Sequence, residues 1–128
     1  MRLSLGYGYT DATYLDYRTS PTVDLSGNKR PRVPPHSFNA MTFFNVSNRL
    51  TLTGNVQVKD AQFLNDQNTL TLDGFTLVNL GASYSFQHLQ MILNVSNVTD
   101  HFYYASTLGN TQFYPGEPRR VMFTVRVR

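Results

Sequence analysis

The chain has 128 residues, which is the length of one domain, and its lack of cysteine argues against a small secreted domain stabilised by disulfides. Aromatic residues make up 13% of the chain and charged residues only 15%, against a typical charged fraction of about 25%, and this composition favours strands and turns over helices. The net charge of +3 comes from scattered basic groups without a basic helix or an RNA-binding signature, so the sequence predicts no nucleic-acid partner.

Apolar and polar residues alternate with a period of two along most of the chain. The predicted strands, in chain order, cover 3–10, 37–44, 50–59, 78–86, 89–96 and 120–128. The second strand is the least regular, because Met41, Phe43 and Phe44 blur its two faces. No stretch has a convincing helical period, and none is apolar for long enough to form a transmembrane helix. The sequence therefore predicts an all-β chain of about six antiparallel, up-and-down strands.

The connections between these strands alternate in length. The long connections run from about 17 to 36, from 62 to 73 and from 98 to 118, whereas the short ones lie at 44–49 and at Gln87-His88. A β-sandwich has no reason for this alternation, but a transmembrane β-barrel has tight periplasmic turns and long extracellular loops. The pattern predicts a segment of an antiparallel transmembrane β-barrel, with all three long loops on one rim.

A barrel strand exposes one row of side chains to lipid and the other row to the lumen. No charged residue occurs between Gly74 and Thr99, which fits this arrangement. We predict that the apolar row faces lipid, as represented by Leu52, Val56, Leu80, Ala82, Leu93 and Phe123. We predict that the polar row faces the lumen, as represented by Thr53, Asn55, Asn79, Gly81, Asn94 and Thr124. Two aromatic girdles are expected, one at Tyr84 and Phe86 and the other at Tyr9, Phe102 and Tyr103.

Six strands are too few to close a transmembrane barrel, for which about eight is the smallest number. On its own, the chain would form an open sheet with two unpaired edges. We therefore expect it to be part of a larger barrel. The alternation also fits a soluble barrel that binds a small apolar ligand, because the apolar row would then face inward.

Several ordered motifs resemble those of TonB-dependent outer-membrane receptors. The second half of the chain contains DGFTLVNLGASY at 73–84, LNVSNVTD at 93–100 with Tyr103-Tyr104, and PRR at 118–120. The first half contains YGYTDA at 7–12 and GNKRPRVPPH at 27–36. Each motif is weak alone, but the ordered set covers nearly the whole chain and resembles the C-terminal end of the receptor barrel.

The resemblance implies that residues 1–128 are the C-terminal part of a plugged receptor barrel of about twenty-two strands, with the plug domain absent from this chain. It also implies residence in the outer membrane of a Gram-negative bacterium, in contact with outer-membrane lipid. The implied function is the energised uptake of a scarce nutrient, most of all an iron–siderophore complex. Energy would come from the TonB complex, acting through the missing plug. A porin-like or adhesion barrel is the alternative among membrane proteins.

The long loops contain arginines and tyrosines that suit an anionic and aromatic chelate through charge pairing and cation–π contact. The candidate ligand-binding residues are Tyr17, Arg18, Arg30, Arg32, Tyr103, Tyr104 and Tyr114. The alternative is that these side chains bind lipopolysaccharide phosphates or simply solvate the loops. Asn97 and Asp100 are interpreted as residues that fix a loop, because their side chains hydrogen-bond nearby backbone groups.

The sequence offers no catalytic residues. It has no nucleophile elbow, no phosphate-binding glycine loop and no telling pair of histidine and carboxylate. His36, His88 and His101 are widely spaced and have no cysteine partner, so no metal site and no cofactor are predicted. We therefore expect a receptor and not an enzyme.

Overall fold

The computed structural model describes residues 1–127, and these residues form strands and turns without a helix. In chain order the strands are β1 (Arg2–Tyr9), β2 (Arg18–Ser20), β3 (Val23–Asp24), β4 (His36–Asn45), β5 (Leu50–Lys59), β6 (Gln62–Phe63), β7 (Thr71–Leu72), β8 (Phe75–Phe86), β9 (Leu89–Ser96), β10 (Tyr104–Leu108), β11 (Gln112–Pro115) and β12 (Arg120–Val127). Across this described part, no helix exists that could cross a membrane.

The six long strands form a single antiparallel sheet in the order β1-β4-β5-β8-β9-β12. Each long strand pairs with the long strand that follows it in sequence, which confirms the predicted up-and-down order. The main difference from prediction is that β8 begins at Phe75 and not at 78, because its pairing with β5 extends from Leu50↔Tyr84 to Lys59↔Phe75. The last residue of the predicted sixth strand, Arg128, lies outside the described residues.

The register places the two predicted sets of side chains on opposite faces of the sheet. Residues directly opposite each other in an antiparallel pair share a face. One row across four strands runs from Leu52 to Ala82, Leu93 and Phe123, and it is entirely apolar. The next row runs from Thr53 through Gly81 and Asn94 on the other face. The predicted separation of an apolar and a polar face is confirmed.

The apolar face is uncovered within this chain. Phe123 is 62% exposed and Leu93 is 41% exposed, although both lie in the middle of their strands. The buried hydrophobic residues of the described chain are four leucines, Leu25, Leu64, Leu72 and Leu77, and three of them lie in the long connections. The sheet therefore lacks an internal core, and its apolar face needs an apolar environment such as lipid.

Asparagine side chains link the strands along the polar face. Asn55 Nδ2 donates to Asn39 Oδ1 at 3.5 Å, and Asn79 Nδ2 donates to Asn55 Oδ1 at 3.2 Å. Asn79 Oδ1 then accepts the backbone N–H of Asn97 at 2.9 Å. Gly81 lies on the same face, where there is no room for a side chain. A Cβ at that position would lie only 2.9 Å from Asn94 Oδ1.

The aromatic residues at the strand ends follow the predicted girdles only in part. Tyr84 and Phe86 lie in the apolar row beside the short turn, where the Arg49 guanidinium stands 5.5 Å from the Phe86 ring centre. Tyr9 lies at the opposite rim, with its ring centre 5.0 Å from that of His36. Tyr103 does not join a girdle on the apolar face, because its ring packs against Phe75. The register places Phe75 in the polar row.

Candidate functional site

The three long connections lie on one rim of the sheet, and we name them loop A (10–35), loop B (60–74) and loop C (97–119). They follow the strand ends at Tyr9, Lys59 and Ser96, which the register places at the same edge. The short turns at 46–49 and 87–88 lie on the other rim. The predicted topology is therefore confirmed, with the three long loops on one rim and the two short turns on the other.

Each loop contains a short hairpin that the sequence did not predict. β2 pairs with β3 in loop A, β6 with β7 in loop B, and β10 with β11 in loop C. The hairpins give the loops a regular backbone, so the side chains of the loops have defined neighbours.

Loops A and B are joined by side chains that pair with the opposite backbone. Asn68 Oδ1 accepts the N–H of Lys29 at 2.7 Å, and Asn68 Nδ2 donates to the Lys29 carbonyl at 2.8 Å. Asn28 Nδ2 donates to the Asp66 carbonyl at 2.9 Å, and the Tyr14 hydroxyl donates to Asp66 Oδ1 at 2.7 Å. This last hydrogen bond raises the pKa of Tyr14, because it favours the neutral phenol beside a carboxylate. This junction could not be predicted from local sequence patterns, because its partners are far apart in the chain.

The base of loop C is closed by the two residues that were interpreted as loop-fixing. Asn97 is buried, and its Nδ2 donates to the carbonyls of His101 at 2.9 Å and Glu117 at 3.1 Å. Asn97 Oδ1 accepts the His101 N–H at 3.0 Å, and Asp100 Oδ1 accepts the Arg119 N–H at 2.9 Å. Both side chains thus connect the start of the loop to its end, which confirms the structural interpretation.

Most cations of the loop rim are already paired with carboxylates. The ion pairs are Arg18–Asp24, Lys29–Asp11, Arg119–Asp100 and Arg120–Glu117. The pKa of Asp11 is lowered chiefly by the hydrogen bond from Lys29 and, to a smaller extent, by the hydrogen bond from Thr13. Hydrogen bonds with Ser26, more than the contact with Arg18, lower the pKa of Asp24.

Two candidate arginines, Arg30 and Arg32, have no ion pair with a carboxylate among residues 1–127. Both are exposed. Arg32 Nη2 donates to the Gly109 carbonyl at 3.2 Å, which links loop A to the tip of loop C. Among the described residues of the three loops, an anion could approach these two cations without displacing a carboxylate.

The candidate tyrosines fall into two groups. In loop A, the ring of Tyr17 lies 4.5 Å from that of Tyr14. In loop C, Tyr104 contacts Phe102 and Phe113, each with 5.2 Å between ring centres. Phe113 was not among the predicted residues, because only arginines and tyrosines of the loops were considered.

The structure therefore brings the seven predicted ligand-binding residues to one rim but not to one pocket. Four of them lie in loop A and three in loop C, and the Arg32–Gly109 contact joins the two groups. Tyr103 is covered by Phe75 and by Gly116, whereas Tyr114 is exposed. Across the described part of the chain, no cluster of three or more His, Asp or Glu side chains could hold a metal ion.

Comparison with known proteins identifies relatives of this sheet and its loops. Residues 1–98 match the family described as TonB dependent receptor-like, beta-barrel. The chain is 30% identical over 123 residues to the ferrichrome receptor FcuA of Yersinia enterocolitica, a match that covers 89% of this chain and 16% of that protein.

Two solved receptors of Acinetobacter baumannii share the fold. The ferric preacinetobactin receptor BauA is 28% identical with a TM-score of 0.76, and the siderophore receptor PiuA is 22% identical with a TM-score of 0.85. Each match covers 98% of this chain and 19% of the receptor chain. The chain thus spans between 16% and 19% of the length of these relatives.

A six-stranded antiparallel sheet with one apolar face, one polar face and long loops on one rim is a segment of an outer-membrane β-barrel. The chain belongs to the TonB-dependent receptor family, as its motifs had suggested. Members of this family are outer-membrane proteins of Gram-negative bacteria, and the family consists of receptors and not of enzymes. Membership argues against the porin-like, adhesion and soluble-barrel alternatives.

Proposed function

We propose that the chain forms the last six strands of a receptor barrel in the outer membrane of a Gram-negative bacterium, and that the complete receptor imports a ferric chelate. The observation that carries this proposal is the gathering of three long loops on one rim, with Arg30 and Arg32 unpaired with any carboxylate of residues 1–127. The relatives support the ligand class, since they are receptors for ferrichrome, ferric preacinetobactin and siderophores. The proposed role is binding and transport without catalysis.

The remaining partners follow from this proposal. The apolar face of the sheet contacts outer-membrane lipid, because uncovered side chains such as Phe123 and Leu93 need an apolar solvent. The TonB complex supplies energy through a plug domain that lies in another part of the complete receptor. The present chain contributes part of the barrel wall and three loops of the ligand entrance.

We propose ligand contact by Tyr17, Arg18, Arg30, Arg32, Tyr103, Tyr104 and Tyr114. Arg30 and Arg32 lead this group, because a guanidinium without a carboxylate partner can form charge-assisted hydrogen bonds to an anionic chelate. Arg18 would first have to leave Asp24, from which it is separated by 3.2 Å. Tyr104 and Tyr114 offer exposed rings to an aromatic part of the ligand.

Binding and uptake of radioactive iron by the full-length polypeptide tests the function. The probes are ferric citrate, ferrichrome and a ferric catecholate, in cells that lack other iron receptors. The double variant Arg30→Gln, Arg32→Gln should weaken binding of an anionic chelate by about tenfold or more, since each charge-assisted hydrogen bond contributes about 1.5–3 kcal/mol. Arg49→Gln, in a short turn on the other rim, is the matched control and should bind as the unmodified receptor does.

The two parts of the proposal fail in different ways. If none of the three chelates binds, the proposed ligand class is wrong. If an anionic chelate binds equally well to the double variant, the receptor function stands and the assignment of Arg30 and Arg32 is wrong.

A further inference from the structure

Loop C is attached firmly at its base and weakly at its tip. At the base, the side chains of Asn97 and Asp100 each make one hydrogen bond across the two ends of the loop, to the Glu117 carbonyl at 3.1 Å and from the Arg119 N–H at 2.9 Å. Asn97 adds two local hydrogen bonds to the His101 backbone, at 2.9 and 3.0 Å. Between these ends, β10 and β11 pair with each other and with no further strand of the described chain. At the tip, the polar contact with another loop is the 3.2 Å hydrogen bond from Arg32 Nη2 to the Gly109 carbonyl.

Loops A and B, in contrast, are joined at several points. Asn68 pairs twice with the backbone of Lys29, Asp66 accepts from Tyr14, and the Asp66 carbonyl accepts from Asn28. The N–H of Arg32 adds a hydrogen bond to the Phe63 carbonyl at 2.8 Å. Because breaking this junction requires the simultaneous loss of several bonds, loops A and B behave as one platform, while the loop C hairpin has one polar tether to it.

The backbone of Arg32 adds an independent reason to give its side chain a role. Its φ angle of 61° lies in the left-handed region, which is unfavourable for residues with a Cβ. Glycine would adopt this conformation without strain, but it could not reach Gly109. The conformation anchors the Arg32 backbone to loop B while its guanidinium reaches loop C. The strained backbone therefore belongs to Arg32, the residue whose side chain joins loops A and B to the hairpin.

We propose that the β10–β11 hairpin is a lid that is hinged at Asn97 and Asp100 and latched to loops A and B by Arg32. Residues 102–116, which include the hairpin, contain no charged side chain but carry the contacting rings of Tyr104 and Phe113. Movement of the lid therefore presents or withdraws an uncharged aromatic surface at the loop rim. Arg32 is a positioning residue in this device, and the inference does not depend on the identity of the ligand.

A nitroxide spin label at the hairpin tip tests the latch in the full-length receptor. The chain has no cysteine, so Asn110→Cys provides a defined label site within it. Electron paramagnetic resonance spectra then report the mobility of the tip on the nanosecond scale, where loop motions occur. We expect Arg32→Gln to reduce the immobilised component of the spectrum, and Arg32→Lys, which keeps one cationic donor, to restore much of it.

Two controls separate a latch from general damage to the loops. Arg30→Gln removes a neighbouring arginine that makes no hydrogen bond or ion pair with the hairpin among residues 1–127, and it should leave the tip spectrum unchanged. A second label at Gln67 in loop B should keep its spectrum in Arg32→Gln, because the backbone hydrogen bond to Phe63 remains.

Three results would overturn the proposal. The first is an unchanged tip spectrum in Arg32→Gln. The second is equal mobilisation of the tip by Arg30→Gln, which would indicate a nonspecific charge effect. The third is mobilisation of the Gln67 label by Arg32→Gln, which would make Arg32 a support of the whole loop cluster and not a latch.

Discussion

Replacing Asn97 with alanine should loosen loop C without unfolding the sheet. The Asn97 side chain is buried and makes three hydrogen bonds, two to His101 and one to Glu117. Alanine therefore removes one of the two side-chain links between the ends of the loop, while the link from Asp100 to Arg119 remains. The backbone N–H of residue 97 donates to Asn79 Oδ1, and this hydrogen bond is retained in the variant. The perturbation is therefore local to the base of loop C.

The expected magnitude follows from the number of bonds and from the backbone. Three hydrogen bonds at a net 0.5–1.5 kcal/mol each give roughly 1.5–4.5 kcal/mol, and the exposure of His101 and Glu117 favours the lower half, about 2 kcal/mol. Asn97 also has a φ angle of 48°, which asparagine tolerates better than alanine. That difference adds about 1 kcal/mol. A total of about 3 kcal/mol corresponds to more than a hundredfold increase in local opening.

Hydrogen–deuterium exchange of the full-length receptor measures this opening. Amides of loop C should exchange faster in Asn97→Ala, while amides of β5 and β8 should be unaffected. Asn97→Gly should have a smaller effect, because it removes the hydrogen bonds but not the tolerance of the left-handed conformation. Asn110→Ala, at the exposed hairpin tip, is the matched control. Equal exchange of loop C in Asn97→Ala and in the unmodified receptor would refute the reasoning.

Three further predictions concern the loops and the sheet edges. Gly116→Ala should accelerate exchange in loop C, because the added methyl overlaps the Tyr103 ring, and a second change, Tyr103→Ala, should restore slow exchange. The hydrogen bond from Lys29 lowers the pKa of Asp11, so its contribution to loop A is present above the unfolded value of 3.8 and is lost as the pH falls through the lower folded value. A fluorescent label at Leu15 should therefore report loosening of loop A in acid, and Asp11→Asn should reduce that pH dependence to the part contributed by Asp24, whose pKa is also lowered. Refolded alone in detergent, the chain should form aggregates or edge-to-edge oligomers, because β1 and β12 each leave one edge unpaired and each unpaired backbone group in hydrocarbon costs several kcal/mol. A compact monomer in analytical ultracentrifugation, with heat-modifiable mobility in gels, would contradict this expectation.

The six long strands could be predicted from the sequence because one physical pattern specifies them. Alternation along a strand decides which face each side chain occupies, and a shift by one residue would reverse every face. The start of β8 was predicted three residues late, because Leu77 is an apolar residue in the polar row and hides the alternation there. Pairing with β5, which the local sequence does not reveal, extends the strand to Phe75.

The hairpins within the loops were harder to predict. β6 and β7 have two residues each, so local propensity carries almost no information about them. The hairpin of β10 and β11 did carry a signal, since Gly109-Asn110 lies between two strand-like runs and Gly109 has a φ angle of 62°. The Gly-Asn pair was not interpreted as a turn, because residues 98–118 were treated as one long connection.

The position of the candidate residues on one rim followed from strand order, but their partners did not. Arg32 and Gly109 are 77 residues apart, and Lys29 and Asp11 are 18 apart, so neither pair is visible to a local pattern. Which arginines are neutralised by carboxylates depends on how the loops fold against each other. The distinction between Arg18, which is paired, and Arg30, which is not, therefore required the structure.

The asparagine-rich composition has a physical explanation in three different environments. On the polar face, Asn55 and Asn79 bond across neighbouring strands at 3.2 Å. At Asn68 and Asn97, asparagine occupies the left-handed region, with φ angles of 56° and 48°, at a lower cost than most residues. Asn68 also accepts from and donates to the backbone of Lys29, which is what a neighbouring strand would do. A neutral side chain that both donates and accepts can replace a missing backbone partner without burying a charge. This property explains how a chain with so few charged residues ties long loops into a defined rim.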